Sequence, residues 1–349
     1  MSAERSHLPH WLAAIYALLI AYASLQPFSG WQGNEGPFFL FSGWGRYTSF
    51  DILANVCAYL PLGFFAALLG RRSPAAVLLA AALALVLSFS LETLQWFLPS
   101  RAASPIDLLA NGLGGLLGGI GGAALRQHPL AGTRLIQWRA AVFITGRGSD
   151  AGLALLAIWL LLQLNPAIPL FGATYQPETD TPVDAVGVII EAAQSALNVL
   201  GVGLFLASLL RRRAHLGAAV LLLVGIGLAL KAAAAVLVIK PALWDYWLRP
   251  GVGIGVALGA VLLLALVWTT RRSQTLLGAI ALLSGLLVPL LAPEVALAAA
   301  PLALFNWNYG HLLNFNGLTR SGLLVWPLAA AAQLILAGTG SRGDRGDPV

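Results

Sequence analysis

Charge is scarce in this chain. Only 10% of its 349 residues are charged, against about 25% in a soluble globular domain. That deficit excludes a soluble enzyme, and 58% hydrophobic residues with a mean hydropathy of +0.81 exclude a disordered chain. Cysteine is nearly absent. Cys57 stands alone, so a secreted disulfide scaffold is ruled out, and within its apolar run it reads as a small buried hydrophobe. Five histidines (His7, His10, His128, His215 and His311) are scattered without a second ligand at metal-binding spacing, so neither a metal nor another cofactor is expected. The basic residues come in short clusters between apolar runs, with no long stretch interleaved with aromatics, so a nucleic-acid partner is not expected either.

What is present is apolar length. Ten segments, at about 11–26, 51–70, 75–98, 105–125, 151–165, 185–210, 215–239, 248–269, 275–292 and 319–338, reach or approach the ~20 residues that cross hydrocarbon. The fold class that follows is all-α, a polytopic transmembrane helix bundle of about ten spans, because only helices and closed barrels satisfy their backbone inside a bilayer. With the N-terminus in the cytoplasm, 14 of the 20 basic residues fall on cytoplasmic positions and Arg46, Arg101, Lys240, Arg249 and Arg320 outside. The positive-inside rule then places both termini in the cytoplasm and the chain in the inner membrane. The acidic stretch Pro177-Glu178-Thr179-Asp180 falls outside, in agreement. Arg5, the apolar run from Trp11 and Ala21-Tyr22-Ala23 have the layout of a cleavable signal peptide, but an internal counterpart favours a retained first helix.

That counterpart is a repeat. Residues 59–72 and 199–212 share seven of 14 positions, among them Gly63 with Gly203, Phe65 with Phe205 and the paired arginines. Leu25-Gln26-Pro27 after the first segment resembles Leu164-Asn165-Pro166 after the fifth. Four helices per copy is an even number, so the copies share one orientation. The expected organisation is a four-helix unit over 1–125, a basic cytoplasmic linker over 126–150, a degenerate second four-helix unit over 151–270, two C-terminal helices over 271–338 and a tail over 339–349. The linker carries Arg134, Trp138 and Arg139 and reads equally as an amphipathic surface helix.

Polar side chains in membrane helices cost a few kcal/mol, so their placement is informative. The first unit has Asp51 with Asn55, Glu92 with Gln95, and Asp107 with Asn111, at spacings of four, three and four residues; each pair shares one helix face. Asn55, Glu92 and Asn111 lie 16, 18 and 15 residues from Arg71, Pro74 and Arg126, roughly 24, 27 and 22 Å at 1.5 Å per residue. All six therefore gather in the outer half of the membrane, with Arg101 above them. The glycine run Gly112, Gly114, Gly115, Gly118 and Gly119 has small-x3-small spacings and reads as close helix packing. In the second unit Glu191, Gln194 and Asn198 share a segment, and Lys231 is expected to form a buried pair with Glu191. Trp11, Trp31, Trp44, Trp96, Trp244, Trp247, Trp307 and Trp326 read as interface anchors. Asn306-Trp307-Asn308-Tyr309 with His311 is the best candidate for a carbohydrate platform.

The ordered motifs of the first unit are Asp51-x3-Asn55, Pro61-x-Gly63, Glu92-x2-Gln95, Arg101 and Asp107-x3-Asn111-Gly112-x-Gly114. Together they resemble the VanZ-like membrane family over about residues 10–125. The resemblance implies a bacterial cell-envelope context linked to glycopeptide resistance. The second unit departs from the pattern, with no Glu-x2-Gln and no Asp-x3-Asn. The leading expectation is an outward-facing polar pocket for a lipid-linked envelope precursor or a glycopeptide-like ligand, with the bilayer as the other partner. If it is an enzyme, Glu92 and Asp107 are the acid/base pair and Arg101 meets a phosphate or carboxylate. The same polar groups serve equally well as interhelical hydrogen bonds in a scaffold without a ligand. A secondary transporter, suggested by the duplicated unit, is the second reading ahead of the scaffold, although its polar groups would be expected at the midplane. In the scaffold reading Arg101 packs against nothing deep. Ligand identity, catalysis and oligomeric state are not legible.

Overall fold

The computed structural model describes residues 6–26, 28–33, 35–42, 44–45, 48–70, 74–128, 131–165, 168–173, 185–238, 249–266, 268–291 and 310–340. Among these the chain is all-α, with no strand beyond one isolated bridge between Phe143 and Leu210. It divides into two compact units, Met1–Ala140 and Ala141–Val349. Outside the described residues lie the acidic 177–180 stretch, Arg46, Arg71, Arg72, Pro166, Lys240, Trp244, Asp245, Trp247, residues 305–309, Arg342 and Arg345.

The first unit contains α1 (Leu8–Leu25), the short α2 (Phe39–Ser42), α3 (Ser49–Leu69), α4 (Ala75–Trp96), α5 (Pro105–Gln127) and α6 (Ala131–Val142), which runs across the unit boundary. Helix starts are set by local chemistry. Thr48 and Asp51 form a reciprocal capping box at α3. Ser104 caps α5, with Pro105 in its first turn, where the missing N–H costs nothing. Helix α5 runs parallel to α3 at nearly backbone contact. A methyl group at Gly114, Gly118 or Gly122 would strike the carbonyl oxygen of Val56, Leu60 or Phe64, so the four-residue glycine ladder is what permits this approach. On its other side α5 meets α4 in antiparallel sense, with Gly115 against Ala84 and Gly119 against Ala80.

The second unit contains α7 (Arg147–Leu162), α8 (Ala185–Leu209), a 3-10 turn (Arg213–His215), α9 (Leu216–Val238), α10 (Pro250–Leu266), α11 (Arg271–Leu291) and α12 (Gly310–Gly340). A second ladder joins α10 to α8: methyl groups at Gly251, Gly255 and Gly259 would meet the carbonyls of Val188, Ala192 and Ala196. The core gathers Trp159, Phe205, Leu282 and Trp326. Trp326 is 2% exposed and donates its indole N–H to the Leu155 carbonyl at 2.6 Å. It is therefore a core anchor and not the expected interface anchor. Trp11, Trp31 and Trp44 are exposed.

Seven of the helices are long and apolar enough to cross a membrane: α1, α3, α4, α5, α8, α9 and α12. The chain is a helical, multi-pass membrane protein. Three of the ten expected segments fall outside that set. Helices α7 and α10 have 16 and 17 residues, about 24–26 Å at 1.5 Å per residue, short of a ~30 Å core. Helix α11 opens on Arg271, Arg272, Ser273, Gln274 and Thr275 before its apolar part begins. The bundle surface is apolar: Leu78, Val86 and Leu109 are 68%, 64% and 60% exposed, the composition of a lipid-facing wall. Cys57 belongs to that wall. It is exposed and not buried as its apolar surroundings suggest, because α3 turns only part of its circumference inward.

Candidate functional site

The polar side chains of the first unit meet where α3 and α5 begin and α4 ends. They form two stacked layers. In the upper layer the Asn55 amide donates to Asp107 Oδ1 at 2.6 Å, and Glu92 Oε2 accepts the backbone N–H of Ser104 at 2.8 Å. In the lower layer, one helical turn further along each helix, the Asn111 amide donates to the Ser88 hydroxyl at 2.9 Å, and the Tyr59 phenol lies against Ser88. Beneath these the helices close. Gly63 lies on the backbone of Gly115, and Gly115 on Ala84. Glu92, Asn111 and Tyr59 are each 4% exposed, and Ser88 and Ser104 not at all. Asn55 and Asp107 are half-buried and form the rim.

Helix ends position this chemistry. Ser104 offers its side chain to the N–H groups of Ile106 and Asp107 at 3.0 and 3.3 Å, which leaves its own N–H for Glu92. Asp107 sits in the first turn of α5 and Asp51 in that of α3, both places where the helix dipole favours negative charge. Asp51 is committed to its cap: Oδ2 accepts the Thr48 N–H at 3.0 Å and the Thr48 hydroxyl at 2.7 Å. The three carboxyl groups are electrostatically coupled, Asp107 with both Asp51 and Glu92.

Gln95 and Arg101 have other work. The Gln95 amide donates to the Ser24 carbonyl at 2.9 Å. Arg101 Nε donates to Gln26 O at 3.0 Å, and Nη2 donates to Gln26 O and Ala23 O at 2.6 and 3.0 Å. Together they satisfy the C-terminal carbonyls of α1, groups that no residue of α1 can reach. Arg101 is thus half-buried structure, and its guanidinium pKa is drawn down by that burial. Arg101 therefore touches the end of α1, contrary to the expectation that it packs against nothing deep. Arg101 also borders a cleft of about 420 Å³, lined by Gln32, Glu35, Phe39, Trp96 and Phe97 among others. Arg126 acts like Arg101, donating to the Leu68 carbonyl at 2.7 Å and to Gly70 at the end of α3.

In the second unit Glu191 pairs with Arg249 at 2.7 Å, and the Gln194 amide donates to the Gly285 carbonyl at 3.3 Å. Asn198 is buried. Lys231 is completely buried and does not pair with Glu191. Its ammonium donates to the carbonyls of Asn165 at 2.9 Å and Ile168 at 2.5 Å. The reason is topological: the chain turns back after α7 and aims those carbonyls at α9, while the start of α10 brings Arg249 to Glu191 first. Arg271 closes the end of α8 through the Leu210 carbonyl at 2.9 Å.

Sequence reasoning overlooked Tyr59, Ser88 and Ser104. Two of them carried a signal at helical spacing, Tyr59 four residues after Asn55 and Ser88 four before Glu92; Ser104 precedes a first-turn proline. Among the described residues no group of three or more His, Cys, Asp or Glu side chains is placed to hold a metal ion. Similarity to known proteins is confined to the first unit. The family model described as VanZ/LLP1 matches residues 10–125, from α1 into the last turn of α5, and that segment is similar to the VanZ-like family. No curated protein and no solved structure matches the chain.

Proposed function

We propose that the VanZ-like unit binds the polar head of an amphipathic envelope molecule, a lipid-linked envelope precursor or a glycopeptide-like ligand, between α3, α4 and α5. The observation that carries this reading is the one-sided polar stack. Asn55, Glu92, Asp107 and Asn111 face one another at one end of the bundle, and the stack stops at the Gly63, Ala84 and Gly115 layer. A head group enters such a site from one membrane face while its chain stays among the exposed leucines and phenylalanines outside. A transporter needs a second way out, and the tight glycine contacts below Asn111 weigh against one.

In this reading the chain lies in the inner membrane, crosses it about ten times with both termini cytoplasmic, and turns the stack outward. The second unit is a degenerate tandem copy that supports the first. Two likenesses favour the copy: a glycine ladder on a neighbouring helix's carbonyls in each unit, and the carbonyls of Gln26 and Asn165, which hold Arg101 and Lys231 respectively. Native mass spectrometry of gently solubilised protein tests the function, and retained envelope lipid is the expected result. Glu92→Gln and Asp107→Asn should abolish an envelope or glycopeptide-resistance phenotype at normal membrane levels. Wild-type protein free of lipid, together with unaltered phenotypes in both variants, would leave the stack as interhelical glue.

A further inference from the structure

Resting on that reading, we propose that the head group taken by the stack is an ammonium group: the ligand is a primary amine carried on an amphipathic molecule. The argument is a count of donors and acceptors. The Asn55 amide is spent on Asp107, the Asn111 amide on Ser88 and the Gln95 amide on α1. Arg101, in the turn between α4 and α5, directs its Nε and Nη2 to the α1 carbonyls. Acceptors are left over. Asn111 Oδ1 is buried without a hydrogen-bond partner, on a residue 4% exposed. Among the described residues, the second oxygens of Glu92 and Asp107 accept no hydrogen bond either, since Glu92 uses Oε2 and Asp107 uses Oδ1.

Charge points the same way. The N-termini of α3 and α5 supply about half a positive charge each, against the three carboxyl groups of Asp51, Glu92 and Asp107. A phosphate or carboxylate head would add to that excess of acid and find few free donors. An ammonium head brings a compensating charge and N–H donors, where the stack offers the unpartnered Asn111 Oδ1 and two carboxyl groups. The second unit illustrates the rule. Its one acid in a comparable place, Glu191, already has Arg249 at 2.7 Å, supplied by the residue just before the first-turn proline of α10. In the first unit the residue just before the first-turn proline of α5 is Ser104, which offers Glu92 only an N–H. An ionised buried acid without a counter-ion is costly, and a bound ammonium offsets that cost.

The test uses the full chain in phosphatidylcholine nanodiscs with radiolabelled dodecylammonium, corrected for uptake by empty discs. One saturable site per chain is expected. Unlabelled dodecylammonium should compete at least tenfold better than dodecyltrimethylammonium, which lacks N–H donors, and dodecyl phosphate and dodecanol should not compete. Glu92→Gln should weaken binding tenfold or more, and Asn111→Leu several-fold. No saturable uptake overturns the proposal, as does equal competition by the phosphate or the alcohol, or undiminished binding to both variants. The probe series on unaltered protein decides the matter even if a variant fails to fold. If native mass spectrometry finds a retained lipid without an amine and dodecylammonium does not displace it, the ammonium assignment falls while the binding function stands. If no lipid is retained and no probe binds, both fall.

Discussion

The two units handle buried charge differently. In the second, Glu191 faces Arg249 and Lys231 is wrapped in two carbonyls, so both of these buried charges have a partner built into the chain. In the first, Glu92 and Asp107 lie close together with an amide, a backbone N–H and each other for company. Both units nevertheless use the same packing device, glycines on one helix seated on the carbonyls of its parallel neighbour. The shared ladder shows what close packing requires. The unshared acids show what it does not require, and so where function is to be sought: natural sites keep groups that stability alone would remove.

The strongest way to break the comparison is to attack what the units share. Gly118→Leu would drive a side chain into the Leu60 carbonyl and Gly255→Leu into that of Ala192. Each should cost more than about 3 kcal/mol, the upper end for overpacked cores, because backbone cannot move aside. Both variants should be lost from the membrane fraction on a quantitative blot. Normal levels of either would show that its ladder is not needed.

Next comes the contrast in charge. Arg249→Met leaves Glu191 unpaired. With side chains 18% and 11% exposed, the loss should be about 2 kcal/mol, below the 3–5 of a fully buried pair. Adding Glu191→Gln should recover most of it. Glu92→Gln, by contrast, keeps an oxygen for the Ser104 N–H and should leave stability unchanged or raised, within about 1 kcal/mol. Thermal midpoints in mild detergent read all three. A large loss from Glu92→Gln would mean that its charge is structural and the two units are alike.

The last pair concerns the two cations that hold carbonyls at helix ends. Lys231→Met strands two buried carbonyls and should cost about 2 kcal/mol. Arg101→Met should cost about 1 kcal/mol, since water reaches the half-exposed end of α1. Limited proteolysis after α1 and α7 would report the order, and a reversed order would argue against matching these two cations across the units.

Much of the fold was legible because it depends on local sequence. Each of the ten apolar segments coincides with a helix to within a few residues, apart from the longer α12, since apolar length and capping residues act locally. Seven of those helices meet the length and hydropathy needed to span. Residue partnerships were less legible. Spacing puts Glu92 and Gln95 on one face of α4, yet they reach different neighbours, Ser104 and the end of α1. The expected Lys231–Glu191 pair failed for the same reason: opposite charge suggests attraction, but only the turn after α7 and the start of α10 decide which acceptor is near. Trp326 looked like an anchor because tryptophan is common at membrane interfaces, and α12 turns it into the core instead.

The order of residues along this chain was enough to make it a membrane protein of apolar helices, with glycines every fourth residue and acids and amides one turn apart. Those properties follow from composition, rise and period within one helix. Which carbonyl receives Lys231, which acid keeps Arg249 and which amide oxygen is left without a donor were settled by how helices distant in sequence pack together. Period fixes the face a side chain occupies on its own helix, and the neighbour it meets depends on where the other helices come to rest.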